Sequence, residues 1–138
     1  MKISLTRTVG FNATHRYHRS EWSLEANRQR FGAASEGHAH DYHCAITVTG
    51  PLDADTEMVM DLTLLDGIIQ EEVLARYGGK QLERDLPEFA QGRILPTCEA
   101  IAAQIFLRVT ARLPQGVMLE RVRIAEDATL HADCTGVA

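Results

Sequence analysis

The run HAHDYHCAITVTG, residues 38–50, decides the fold. His38, His40, Tyr42, Cys44, Ile46 and Val48 occupy alternate positions, and alternate side chains of a strand share one face. One side is apolar along most of its length and opens with two imidazoles, whereas His43 points to the other side. Gly50 and Pro51 end the strand.

Toward the N-terminus, KISLTRTVGFNATHR (2–16) places Ile3, Leu5, Val9, Phe11, Ala13 and His15 on one face, interrupted by Arg7. This is a second half-buried strand, and it carries His15 on its apolar side. Residues 19–37 are polar and irregular and read as a long loop with room for one helical turn at SLEANRQRF. Toward the C-terminus the period changes. In MDLTLLDGIIQEEVLARYG, Leu62, Leu65, Ile69, Val73 and Tyr77 fall at helical spacing. YGGKQLERDLPEF is a turn-rich connection. PTCEAIAAQIFLRVTARL opens a second helix, with Thr97 as N-cap, Glu99 in its first turn, and Ile101, Ile105 and Val109 as the buried stripe. GVMLERVRIAEDATLHADC returns to alternation, with Val122, Ile124 and Glu126 on one face and a last short strand around 128–134. The order predicts one α+β domain over residues 1–138 with mostly antiparallel pairing.

The composition is that of an ordinary soluble domain: 138 residues, 45% hydrophobic, 24% charged, net charge −5. That balance disfavours a general nucleic-acid or anionic-membrane surface. No apolar run approaches the roughly 18 residues that span a bilayer, and the N-terminus lacks the apolar segment of a signal peptide. Cys44, Cys98 and Cys134 are odd in number and widely spaced, which suits reduced thiols in a cytoplasm.

His15 ends one strand and His38 and His40 begin the next, so antiparallel pairing would bring the three together. Three histidines with an open position make a catalytic zinc arrangement, whereas structural zinc sites are usually closed by four ligands. Packed imidazoles are the alternative, and spacing alone leaves both open.

FNATHRYHRS, SLEANRQRFG, GHAHDY, MVMDLTLLDGII, LERDLPEF and PTCEAIA occur in the order and spacing of the 6-pyruvoyl-tetrahydropterin synthase family, which includes the 6-carboxy-tetrahydropterin synthases. The chain resembles that family over nearly its whole length. The resemblance implies a tunnelling fold, a four-stranded antiparallel sheet with two helices on one face. Three such subunits would close a β-barrel, and two trimers would stack into a homohexamer with sites between subunits. It further implies that His15, His38 and His40 hold zinc, that Glu126 grips the pterin ring, and that Thr97 and Glu99 line the pterin pocket. A carboxylate suits the first of those pterin contacts because it can accept two parallel N–H bonds. Thr97 and Glu99 also read as plain helix capping.

The match fails selectively. The family's catalytic cysteine, four residues before the first histidine of the HxH pair, is here Ala34, and its Asp-His pair is Gly78 and Gly79, with Lys80 and Leu82 holding the register. A missing general base typically costs about 10²–10⁴ in rate. Glu36 is the nearest ionisable replacement, and one branch of the family carries a glutamate near that place. His18, His43 and Cys98 are weaker candidates. The expectation is a zinc-dependent lyase-type protein acting weakly or differently on dihydroneopterin triphosphate or a related pterin. The alternative is a non-catalytic pterin-binding regulatory or scaffolding subunit. Restoring the lost groups with Ala34→Cys, Gly78→Asp and Gly79→His is expected to raise turnover, unless the glycine turn needs positive φ.

Overall fold

The computed structural model describes residues 1–90 and 94–138. Four strands, β1 (Ser4–His15), β2 (His38–Thr49), β3 (Met118–Asp127) and β4 (Leu130–Cys134), form one antiparallel sheet in the order β1-β2-β3-β4. The helices are α1 (Leu24–Phe31), α2 (Leu62–Ile69), α3 (Ala75–Tyr77), α4 (Leu82–Asp85) and α5 (Cys98–Thr110). The expected α+β architecture is therefore present, down to the short last strand. Asp127 builds the turn into β4 by accepting from the backbone N–H groups of Thr129 and Leu130 at 2.7 and 3.1 Å.

The core lies on one face of the sheet. Tyr42, Cys44, Ile46 and Val48 of β2 and Val122 and Ile124 of β3 are fully buried, as are Leu65, Val73, Ile101, Ile105 and Val109 from the helical side. Arg7 breaks the alternation of β1 because it reaches the helix layer, where Nε and Nη2 clasp the Asp66 carboxylate at 2.8 and 3.1 Å. The opposite face is polar, and Thr6, Thr8, Asn12, Asp41 and His43 are exposed on it.

Two local features depart from the simple helix-and-loop reading. Leu65, Ile69, Val73 and Tyr77 are all buried although they are spaced by four. Each such step overshoots a 3.6-residue turn by about 40°. A π-helical stretch, Gln70–Leu74, lies between α2 and α3 and absorbs the excess by widening the turn. The second departure is residues 19–37, which hold a full helix, α1, and a 3₁₀ turn, Gly32–Ser35, instead of one isolated turn. Ser23 caps α1 by accepting from the Ala26 N–H at 3.1 Å. Buried Asn27 ties the approach to that helix: its Oδ1 accepts from Arg19 N, and its Nδ2 donates to the carbonyls of Arg19 and Ser23, at 2.7, 3.0 and 3.0 Å.

Candidate metal and ligand site

The β1–β2 register pairs His15 with His38 and Ala13 with His40, so all three imidazoles stand on the helix-facing side at one end of the sheet. Small, buried Ala13 leaves room opposite the His40 ring. Ring centroids are 4.5 Å apart for His15–His38, 5.0 Å for His15–His40 and 4.9 Å for His38–His40. One ring nitrogen from each lies within 4.8 Å of the others.

The surroundings fix which nitrogens are free. His15 Nδ1 is 2.8 Å from the Pro96 carbonyl oxygen, and His38 Nδ1 is 2.8 Å from the Glu36 carbonyl oxygen. A carbonyl can only accept, so each Nδ1 must carry a proton, and in the neutral form of either ring Nε2 is the nitrogen that offers a lone pair. Tyr42 Oη, 3.0 Å from the same His15 Nδ1, is a second acceptor for that proton. His15 Nε2 and His40 Nε2 are buried without any hydrogen-bond partner. Buried polar atoms left unpaired are expensive, and an ion accepting those lone pairs would satisfy them. Backbone carbonyls behind ligating imidazoles are the usual way a protein fixes their tautomer and orientation. Burial lowers the His15 pKa from 6.5 to about 4, with the Pro96 acceptor opposing and His38 and His40 adding to the fall. The ring is thus neutral, the form that ligates.

Glu126 reaches the same place from the end of β3. Its Oε2 is 3.5 Å from His40 Nε2 and 4.0 Å from His15 Nε2. Cys98, buried at the start of α5, has its sulfur 3.8 Å from the same oxygen. Burial first, then the Glu126 and Glu99 carboxylates, push that thiol up to about 12, so it is protonated. Thr97 is the N-cap of α5 and accepts from the Ala100 N–H at 3.1 Å, while Glu99 is exposed in the first turn. The capping role of both positions is therefore visible. The adjacent Pro96 carbonyl also gives the segment a direct hold on His15.

The remaining candidates are distributed around this centre. Glu36 is exposed, and its contact with the histidines is through its backbone carbonyl. Ala34 sits in the 3₁₀ turn and accepts from the Tyr17 N–H at 2.8 Å. Gly78 and Gly79 run beside β1, where the Gly79 N–H donates to the Asn12 carbonyl at 2.7 Å. Of the two, Gly79 has positive φ, +72°, whereas Gly78 has φ −60°. The obstacle at Gly78 is steric, because a Cβ there would lie 2.6 Å from the Leu74 carbonyl oxygen. His43 lies on the exposed opposite face, and His18 borders a separate cavity.

Tyr17 escaped the sequence reading. Its ring meets His15 edge-on at 5.0 Å and His38 at 6.4 Å, and Phe31 of α1 backs it at 6.1 Å. Burial, then the Glu126 carboxylate, raise its phenol pKa well above the usual value. The available signal was its position two residues after His15, where a continued strand would put it on the same face.

A family model described as 6-pyruvoyl tetrahydropterin synthase matches residues 4–136. The 6-pyruvoyl tetrahydrobiopterin synthase of Poecilia reticulata is 36% identical over 124 residues, covering 88% of this chain and 82% of that protein. The solved 6-pyruvoyl tetrahydropterin synthase of Caenorhabditis elegans superposes with a TM-score of 0.89 at 25% identity, covering 99% of this chain and 97% of that one. A Plasmodium vivax 6-pyruvoyltetrahydropterin synthase, solved with a catalytic glutamate replaced by alanine, shares the fold at a TM-score of 0.67 and 13% identity over 97% of each chain. With the histidines, the sheet and the helix layer all in this arrangement, the chain belongs to the 6-pyruvoyl tetrahydropterin synthase family.

Proposed function

We propose that this protein binds zinc through His15, His38 and His40 and a reduced pterin through Glu126, acting on dihydroneopterin triphosphate or a relative with weak or altered lyase activity. One observation carries the reading. Unpartnered imidazole nitrogens converge at the end of the sheet, while the places of the family's proton-moving groups hold Ala34, Gly78 and Gly79. Bound zinc would supply Lewis acidity toward an oxygen of the pterin side chain.

The chain's own residues do the rest. The Pro96 and Glu36 carbonyls orient His15 and His38, and Tyr42 braces His15. Glu126 accepts two N–H bonds from the pterin ring, with Cys98 beside one carboxylate oxygen and Thr97 and Glu99 lining the pocket. Glu36 is the side chain we assign to proton abstraction, in keeping with the catalytic glutamate of the P. vivax protein. The family's barrel closure extends the proposal to a homohexamer, a dimer of trimers, since joining sheet edges removes exposed strands. Three free cysteines suit a cytoplasmic setting.

The 3.5 Å approach of Glu126 to His40 favours a second reading, in which this carboxylate closes the metal site and the protein is a non-catalytic pterin-binding regulatory or scaffolding subunit. Incubation with dihydroneopterin triphosphate, with mass spectrometry of the products and elemental analysis of the protein, separates the two. Slow turnover abolished by Glu36→Gln supports the enzyme, and pterin binding without turnover supports the subunit. Protein that neither holds zinc nor binds pterin overturns both.

A further inference from the structure

Outside the histidine centre, one carboxylate among the described residues is buried at both oxygens and hydrogen-bonded at neither, that of Glu83. Such a group is expensive unless something takes up its lone pairs. Other carboxylates of the helix layer are clasped, Glu72 by Arg108 and Glu88 by Arg76. The neighbouring cation, Arg84, is spent on Asp85. The backbone sets where Glu83 lies. Beyond the glycine turn the chain runs along the free edge of β1, where the Thr14 N–H donates to the Lys80 carbonyl at 2.9 Å and Gln81 bridges to Thr14. The helix α4 starts at fully buried Leu82, so Glu83 is held beside the last residues of β1, which end in His15.

The His15 side has the complementary deficit. Its Nδ1 proton is shared between the Pro96 carbonyl at 2.8 Å and Tyr42 Oη at 3.0 Å. With its oxygen accepting, fully buried Tyr42 has a hydroxyl hydrogen left to donate, and among the described residues no acceptor bonds it. Burial, then the acidic groups of Cys98, Tyr17, Glu126 and Glu83, raise this phenol well above its usual range, so it keeps that hydrogen. Of the two carboxylates in that set, Glu126 is turned to the Nε2 side, 3.5 Å from His40. Glu83 is the one with both oxygens uncommitted.

We propose that Glu83 is a positioning residue for the metal ligand His15, acting through Tyr42. No hydrogen bond joins Glu83 and Tyr42 directly, so the link is a bridging water: the phenol donates to it, it donates to the carboxylate, and the phenol oxygen is left to hold the His15 Nδ1 proton. A chain ending in a fixed negative charge polarises the imidazole and makes Nε2 a stronger ligand, the part usually played by a carboxylate behind a ligating histidine. The proposal rests on the metal reading above and adds the support behind one ligand.

The test reads zinc affinity, by competition with a chromophoric chelator, and the visible spectrum of the cobalt(II)-loaded protein, which reports the ligand field at the site. Glu83→Leu should weaken zinc binding by about tenfold or more and shift the cobalt bands. The melting temperature of the metal-free protein should hold or rise, because an unpaired buried charge is replaced by an apolar side chain. A merely structural residue would not move affinity and stability in opposite directions. Glu83→Gln keeps the shape and one acceptor oxygen but not the charge, so it should lose only severalfold and shift the bands the same way. Tyr42→Phe should weaken zinc binding to a degree similar to Glu83→Leu. Combining the two should cost nothing further, because both break one chain. Wild-type affinity and bands in either Glu83 variant overturn the proposal, as do additive losses in the double variant. Wild type that takes up neither zinc nor cobalt fails the metal reading itself, and the proposal falls with it.

Discussion

Two stretches lie against the end of β1 and are built in opposite ways. The histidine cradle is made of side chains whose positions are over-determined: strand register sets His15 opposite His38, and two backbone carbonyls hold the rings, distant Pro96 on His15 and nearby Glu36 on His38. The Gly78–Gly79 turn is made of backbone, its N–H groups donating to Leu74 and Asn12 at 2.9 and 2.7 Å. The cradle has a role for each atom and tolerates little loss. The turn has a place for almost no atom and tolerates little gain. On the proposed reading, the absence of a proton-transfer pair from this turn is more than a change of side chains, because a Cβ at position 78 would meet the Leu74 carbonyl oxygen and position 79 has positive φ.

The largest effect that separates the two should come from the cradle. His38→Ala or His40→Ala should bring zinc content from about one per chain to near zero, by elemental analysis, and lower the melting temperature of the metal-bound protein. Retained stoichiometric zinc in either variant would remove the asymmetry. On the other side, Gly78→Asp should destabilise the fold by roughly 3 kcal/mol or more in urea unfolding, because its Cβ meets the Leu74 carbonyl oxygen at 2.6 Å. Gly79→His, in open space at φ +72°, should cost only about 1–2 kcal/mol. Direct restoration of the Asp-His pair is accordingly expected to lose stability before it gains turnover.

A pH series sharpens the comparison further. In metal-free protein His15 falls from 6.5 to about 4 on folding, so between those values the unfolded chain holds a proton that the folded chain does not. Stability is full above pH 6.5, declines as pH drops through that window, and levels off below about 4, a change on the order of 3 kcal/mol. His15→Gln should flatten that part of the profile, and an unchanged slope would mean that the ring is not the group responsible. The last test concerns Glu126→Gln. It should weaken pterin binding by about 1.5–3 kcal/mol, measured by calorimetry, while leaving zinc content intact. Zinc loss in that variant would instead make Glu126 a metal ligand.

The strands were legible because their burial is one-sided and alternation records it directly. The histidine set was legible because both halves sit at strand ends. Its support was not: Pro96 lies 81 residues from His15, and Tyr42 lies 27 away. No local pattern encodes such a contact. The full length of α1 was not legible beyond a single turn, because buried Asn27, not an apolar stripe, secures it. The π-helical stretch was missed because spacings of three and four read equally as α-helix until the phase error has accumulated.

The pairing of His15 with His38 has a consequence for how the chain finds its register. A strand slipped by one residue turns every side chain to the opposite face. Slippage of β2 against β1 would send His38 and His40 to the polar face and leave His15 alone among the helices. A metal bound across the two strands would therefore act as a proofreader of the hairpin. Only the correct alignment completes the ligand set, so the ion would reward one register and abandon its neighbours.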